Sequence, residues 1–143
     1  MIGNRFISAA ADCQKSAKRY MQINDSLRKE KIMRILGETE ARKVLNATIQ
    51  TSKSVAQISE ELSIPSRSAY RHVNDLCEVG LLTRDRNILI DGGGKYVLYR
   101  SMVKSVSLKY DSLANAVEVD LIPNDTILDK FLRFWSYMSE VSR

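Results

Sequence analysis

The segment 65–79 carries arginine, asparagine, serine and tyrosine side chains at a spacing that predicts one face of a helix. Arginine binds guanine edges or phosphate, asparagine binds adenine edges, and serine and tyrosine hydroxyls bind phosphate oxygens. The candidate contact residues are Ser66, Arg67, Ser68, Tyr70, Arg71 and Asn74. A helix face with two arginines is, taken alone, more often an ordinary solvated surface than a DNA-binding one. The interpretation therefore depends on the elements that surround this helix.

The opposite face of the same segment is apolar. Ala69, Val73 and Leu76 recur at helical spacing and share one side with Gly80, so this side is predicted to point into a core. A proline at position 65 suits the first turn of a helix, and Gly80 suits its end in a left-handed conformation. The helix therefore needs neighbouring elements that cover its apolar side.

Two short helices are predicted directly before this segment and a hairpin directly after it. "ETEARKVLNATI" and "VAQISEELS" each place apolar residues on one face, and Ser54 is a suitable cap for the second. "LLTRDRNILI", "DGGG" and "KYVLYR" predict two strands joined by a loop whose glycines accept positive φ. The hairpin adds basic side chains suited to phosphate, chiefly Arg84, Arg86 and Lys95.

Helix, short turn, helix and glycine-tipped hairpin is the order of a winged helix-turn-helix. The stretch "SVAQISEELSIPSRSAYRHVNDLCEVGLLTR" resembles the winged-helix core of ArsR-like and related archaeal transcription regulators. The resemblance covers residues 36–100, and more loosely a following hairpin. It implies double-stranded DNA as partner, with the six candidate contact residues in the major groove and the hairpin loop on the backbone or in the minor groove.

The chain departs from the metal-sensing branch of that family, which places paired cysteines in or near the motif helix. Cys77 stands alone on the inner side of its helix, and His72 is the single histidine, so neither has a second ligand at metal-binding spacing. "DGGGK" lacks the upstream glycine and the following Ser or Thr of a phosphate-binding loop. We therefore expect no metal, no cofactor and no enzymatic activity.

Composition and charge agree with a DNA partner. The chain has 143 residues, 44% hydrophobic content and a net charge of +5. Residues 65–110 carry eight basic and four acidic side chains, whereas residues 111–143 carry three and six. Since no apolar run is long enough to span a membrane and the N-terminus lacks a signal-peptide core, we expect a cytoplasmic protein without a membrane partner.

These observations predict an α+β fold, namely a three-helix core with a β-hairpin wing, a second β-hairpin and flanking terminal helices. The expected divisions are an N-terminal helical extension at 1–35, the DNA-binding domain at 36–100, the second hairpin at 101–123 and a C-terminal helix at 124–143. Asn24 or Asp25 is expected to cap a helical stretch within 22–35.

Alternation in "KSVSLKY" and "VEVDLI" predicts two half-buried antiparallel strands. Their shortest plausible loop, residues 111–116, sets Tyr110 opposite Val117 and Lys109 opposite Glu118.

The terminal helices are expected to join two copies of the chain, because their apolar faces need cover. The residues are Phe131, Leu132, Trp135, Met138, Phe6, Cys13 and Tyr20. The alternative is that the C-terminal helix covers its own core. The function predicted is that of a homodimeric, sequence-specific transcription regulator. The main alternative is a winged-helix module that docks other proteins without reading DNA, and a third is sequence-tolerant DNA or RNA binding.

Overall fold

The computed structural model describes residues 21–127 and 132–133, and within them it has the expected α+β class. The elements in chain order are β1 (Met21–Ile23), α1 (Ser26–Leu36), α2 (Thr39–Ala47), α3 (Val55–Leu62), α4 (Ser66–Glu78), β2 (Leu82–Ile90), β3 (Gly94–Ser101), β4 (Val103–Asp111), β5 (Ala116–Pro123) and a 3-10 turn (Asp125–Ile127). The sheets are antiparallel, with strand orders β1-β5-β4 and β2-β3.

The turn between α3 and α4 is built from local polar contacts. Ser54 forms a capping box with Gln57, which satisfies backbone amides at the start of α3. Ser63 ends α3 in the left-handed region at φ 54°, and α4 begins after Pro65. Gly80 has φ 83°, as its predicted role at the end of α4 requires. Three residues therefore connect the two helices, and the chain leaves α4 directly towards β2.

The apolar face of α4 closes the core. Ala69, Val73 and Leu76 are each 0% exposed, as the spacing predicted. They belong to one buried cluster with residues from α1, α2, α3 and β2 and from the three-stranded sheet, including Ile32, Val44, Ile58, Leu82 and Leu121. Burial of a valine or leucine side chain stabilises the fold by roughly 1.5–3 kcal/mol. The buried face therefore determines which side of α4 points to solvent.

The predicted hairpin is formed by β2 and β3, with Leu82 opposite Ser101 and Ile90 opposite Gly94. A bulge lies between Arg84 and Arg86. Gly92 and Gly93 turn the loop at φ 104° and 100°. A Cβ atom would meet nothing within 4 Å at either glycine, so backbone conformation, and not crowding, is what requires glycine there.

The register of the second hairpin is the predicted one. Tyr110 lies opposite Val117 and Lys109 lies opposite Glu118 in the β4–β5 pair. The expectation that both strands are half-buried is wrong for the end of β4, where Leu108 and Tyr110 are exposed. The reason is position: β4 is an edge strand, whereas β5 lies in the centre of its sheet and packs against α1.

The N-terminal extension, expected to be helical, contains a short strand before its described helix. Met21–Ile23 forms β1, which pairs with the edge of β5 left free by β4. The helix α1 begins at Ser26, where the Asp25 carboxylate accepts a hydrogen bond from the Leu27 amide at 3.1 Å. Asp25 is therefore the cap, one of the two predicted. Phe6, Cys13 and Tyr20 of the predicted N-terminal helical extension lie outside the described residues.

The beginning of the predicted C-terminal helix is a short 3-10 turn, Asp125–Ile127. Asn124 stabilises it by accepting from the Thr126 amide at 3.2 Å. Leu132 and Arg133 are helical, whereas Phe131, Trp135 and Met138 lie outside the described residues. Within the described part of the chain, no helix has the length and apolar character that crossing a membrane requires.

Candidate nucleic-acid interface

The outer face of α4 presents most of the candidate contact residues to solvent. Ser66, Arg67, Tyr70, Arg71 and Asn74 are exposed, and Ser68 is half-buried. This orientation follows from the buried apolar face, because residues on opposite sides of one helix cannot both point inward. The structure thus brings all six residues onto one helix surface, while their role in binding stays a prediction.

Free hydrogen-bonding groups are present on this face, chiefly on Arg67 and Asn74. Among residues 21–127, the guanidinium group of Arg67 and the amide group of Asn74 have no hydrogen-bond partner in the protein. Arginine carries five N–H donors and asparagine both donors and acceptors. The outer face of α4 therefore has free groups for hydrogen bonds to an external partner.

Arg71 has a partner. Its Nη2 donates to the Glu38 carboxylate at 3.1 Å, and the two side chains are 56% and 38% exposed. An ion pair in this solvent-exposed setting contributes about 0–1 kcal/mol, so it orients Arg71 without locking it into the interior. Nη2 also lies 3.5 Å from His72 Nε2. The other two guanidinium nitrogens of Arg71 have no partner among residues 21–127.

His72 lies beneath this pair and is 1% exposed, which agrees with a packing role. Its Nε2 atom is 2.8 Å from the Glu40 carboxylate, and its Nδ1 atom is 3.7 Å from Glu38. Sequence reasoning missed this cluster, since nothing in the spacing of Glu38 and Glu40 connects them to His72. The proximity of His72 to α2 arises from the α2–α4 packing, for which the local sequence holds no signal.

The hairpin presents its three candidate residues to solvent. Arg84, Arg86 and Lys95 are all exposed, with Lys95 beside the glycine loop. Arg86 also lies 4.0 Å from Asp85, whose carboxylate accepts a hydrogen bond from Ser52. The bulge between Arg84 and Arg86 breaks the regular alternation of the strand at this point.

Arg100 has a structural role. It donates to the Thr126 hydroxyl at 2.8 Å and to the Ile49 carbonyl at 3.4 Å, so it joins β3 to the C-terminal turn. At the other end of α4, Lys31 donates to Glu78 at 2.9 Å, and this bond lowers the pKa of the Glu78 carboxyl. Both contacts hold elements together, and Glu78 does so from the C-terminal end of the exposed face of α4, four residues after Asn74.

Cys77 has the environment of a structural thiol. Burial raises its pKa from 9.0 to about 11, and the nearby charge of Arg84 opposes this rise. The thiol is therefore protonated at neutral pH, which disfavours metal binding and nucleophilic attack. Among the described residues, no group of three or more His, Cys, Asp or Glu side chains could hold a metal ion.

Exposed apolar side chains mark a further part of the surface. Leu89, Ile90 and Tyr96 are exposed towards the tip of the first hairpin. A groove of about 440 Å³ also runs between α2 and β4, with Leu45, Ile49 and Val106 among its lining residues. Neither feature was predicted, because the alternation in these strands does not reveal which strand face remains uncovered.

Comparison with known proteins finds likeness to solved structures. The chain is similar to a solved structure from Methanosarcina mazei Go1 described as a possible transcriptional regulator, with 17% identity and a TM-score of 0.42. The alignment covers 85% of this chain and 93% of that one. No family model and no curated protein matches the chain.

Proposed function

We propose that the chain is a cytoplasmic winged helix-turn-helix regulator of transcription, of the ArsR-like type found in archaea, that binds specific double-stranded DNA as a homodimer. In this proposal α4 lies in the major groove and reads base edges through Arg67, Arg71 and Asn74. The β2–β3 hairpin is the wing, and its Arg84, Arg86 and Lys95 bind phosphates. The protein acts by binding and has no catalytic step.

The observation that carries the proposal is the contrast between the two faces of α4. Val73 and Leu76 are fully buried, whereas Arg67 and Asn74 on the other side are exposed and have no partner among the described residues. Core formation explains the first face and does not require the second. Arginine and asparagine are the side chains whose geometry fits guanine and adenine edges, and a basic hairpin follows the same helix.

A dimer is proposed because one helix of 13 residues contacts few base pairs. Two copies related by a twofold axis would read half-sites about 34 Å apart, one turn of DNA. The terminal helices are the proposed interface. Leu132 supports this assignment, because it is 43% exposed in a single chain and would gain cover in a dimer.

A module that docks other proteins is the second candidate function. The exposed side chains of Leu89, Tyr110 and Leu113 favour it, since apolar surface outside the α4 face is typical of protein contacts. The two functions differ in their response to salt. Binding that neutralises six to ten phosphates loses about 10³–10⁵ in affinity between 50 and 200 mM salt, whereas apolar docking is far less sensitive.

The test is selection of bound fragments from a random duplex library with the full chain, followed by anisotropy titrations of the selected duplex. We expect one enriched palindromic or pseudo-palindromic sequence and a steep loss of affinity with rising salt. Lys104→Ala and Lys109→Ala provide matched controls, since both lysines are exposed on β4, which is not among the elements that pack closely against α4. These two variants should bind like the unmodified chain.

Each other outcome has a clear meaning. Absence of binding to any duplex at low salt would reject DNA recognition and leave protein docking as the function. A steep salt dependence without any enriched sequence would indicate sequence-tolerant nucleic-acid binding. Equal losses in the β4 controls and in α4 variants would show that general positive charge, and not the α4 surface, drives binding.

A further inference from the structure

Glu38 lies where the start of α2 meets the outer face of α4. Its Oε2 atom accepts from Arg71 Nη2 at 3.1 Å. Of the six candidate contact residues on α4, only Arg71 forms an ion pair among residues 21–127. The pair joins residues 33 positions apart, so it depends on the packing of α2 against α4.

His72 gives this contact a rigid base. The imidazole is buried, and its two ring nitrogens lie 2.8 Å from Glu40 and 3.7 Å from Glu38. A buried ring held by a neighbouring carboxylate has little rotational freedom. The carboxylate of Glu38 is therefore bounded on one side by a fixed ring and on the other by the Arg71 guanidinium.

Arg71 can bind a base edge or a phosphate while its ion pair with Glu38 stays intact. Only Nη2 contacts Glu38, and the arginine side chain is 56% exposed. A guanidinium has five donors in a fixed fork, so one nitrogen can stay on a carboxylate while the others reach a base edge or a phosphate. A long arginine side chain held in this way loses less conformational entropy on binding than a free one.

We infer that Glu38 is a positioning residue: it holds the Arg71 guanidinium in the orientation that reads a base and so sets the sequence preference of α4. The inference rests on the proposed function and deepens it. In this proposal Glu38 does not itself contact DNA. Its carboxylate acts through Arg71, and its negative charge opposes DNA binding in general.

Glu38 is expected to increase base preference through Arg71 and to decrease overall DNA affinity through its charge. The variant Glu38→Gln separates these two effects. Loss of a negative charge near the interface should leave non-specific affinity unchanged or increase it. Loss of the charged acceptor should reduce preference for the selected base pair under Arg71 by about 3- to 10-fold, part of the discrimination that a well-placed arginine supplies. A purely structural role would instead lower both affinities together, through loss of folded protein.

The experiment compares Glu38→Gln with Glu61→Gln on the selected duplex, on its single-base-pair variants and on an unrelated duplex. Glu61 is a matched control, because this residue of α3 also forms an ion pair with a residue outside its own helix, Lys53, at 2.5 Å. Only Glu38→Gln should lose base preference. In an Arg71→Ala background, Glu38→Gln should change base preference no further.

Nitrogen-15 NMR of the arginine guanidinium groups supplies a second measurement that needs no DNA. Rotation of the Arg71 guanidinium should be faster in Glu38→Gln than in the unmodified chain, and unchanged in Glu61→Gln. If a duplex is selected and Glu38→Gln keeps the full base preference, or rotation does not change, the positioning inference is rejected while DNA binding stands. If no duplex is selected at all, the proposed function is itself rejected, and the inference with it.

Discussion

The backbones of Lys53 and Tyr99 exchange two hydrogen bonds, with N to O distances of 2.9 and 2.7 Å. This isolated bridge attaches the segment before α3 to β3 of the first hairpin. The Ser101 amide adds a bond to the Thr48 carbonyl at 3.0 Å, just after α2. The hairpin base is therefore fixed to the helical part of the fold at two points, and its basic residues have a defined position relative to α4.

Residues on α4 and on the hairpin should affect DNA binding differently. Arg71→Ala or Asn74→Ala should cost roughly 1–3 kcal/mol on the selected duplex and relax preference at one position. Arg86→Ala or Lys95→Ala should weaken binding evenly across sequences and reduce the salt slope by about one unit per lost phosphate contact. Titrations against single-base-pair variants at three salt concentrations measure both effects. The reverse pattern would mean that the hairpin reads bases and α4 binds phosphates.

Truncation of Leu76 tests the buried face of α4. Leu76 is 0% exposed, so Leu76→Ala removes packed atoms and leaves a cavity at a cost of about 2–5 kcal/mol. Urea unfolding followed by circular dichroism measures this loss. Asn74→Ala, two residues away on the exposed face, should change the free energy of unfolding by less than about 0.5 kcal/mol. Similar losses in both variants would contradict the assignment of the two faces.

Asn124 connects the end of β5 to the segment after α2 and to the end of β3. Its amide nitrogen donates to the carbonyls of Ile49 at 2.8 Å and Ser101 at 2.9 Å, and the residue is buried. Asn124→Ala would leave the buried Ser101 carbonyl without this donor, and we expect a loss of about 1–3 kcal/mol in the free energy of unfolding. Asn87→Ala, at an exposed position of β2 where the asparagine side chain has no hydrogen-bond partner among the described residues, is the control in the same assay. An unchanged unfolding midpoint in Asn124→Ala would show that water replaces both bonds.

Local spacing was enough to predict several parts of this fold. The buried face of α4 follows from residues three and four apart, because helix geometry brings them together whatever covers them. The pairing of Lys109 with Glu118 follows from alternation and from a short loop, which together leave one register. Such features depend on residues that are near one another in sequence.

Features that depend on distant residues could not be predicted. Glu40 reaches His72 from 32 positions away, and its first-turn position gives no sign of that partner. Met21–Ile23 is a strand because β5 has a free edge beside it, not because of its own composition. The exposure of Leu108 likewise depends on β4 being at the edge of its sheet. Each of these features depends on which elements pack against each other. The periodicity of apolar residues within one element does not contain that information.

Cys77 should react slowly and should make stability depend on alkaline pH. Its pKa is raised from 9.0 to about 11 by burial, so the folded chain keeps a proton that the unfolded chain loses above pH 9. The stabilising contribution is complete below pH 9 and is lost as pH rises through 11. Urea midpoints and iodoacetamide labelling rates at pH 8 and pH 10.5 measure both properties in a Cys13→Ser background.

The control for Cys77 is the double variant Cys13→Ser with Cys77→Ala, which titrates all the same groups except this thiol. The fall in urea midpoint between the two pH values should be smaller in the double variant. Rapid labelling of Cys77 at pH 8 would contradict the assigned burial, since only the thiolate attacks iodoacetamide.

Leu132 and Trp135 should be needed for the dimer. The mass in solution at micromolar concentration is expected to be twice the 16.2 kDa of one chain, as measured by light scattering. Leu132→Ser with Trp135→Ser should give a single-chain mass and retain the secondary structure, because the interface loses its apolar contacts while the core cluster formed by described residues between Ile23 and Ile127 is unchanged. Leu113→Ser is the control, since Leu113 is 99% exposed in a turn and should leave the dimer unchanged. A single-chain mass for the unmodified protein would reject the dimer, and a doubly substituted chain that unfolds would show instead that the C-terminal helix covers its own core.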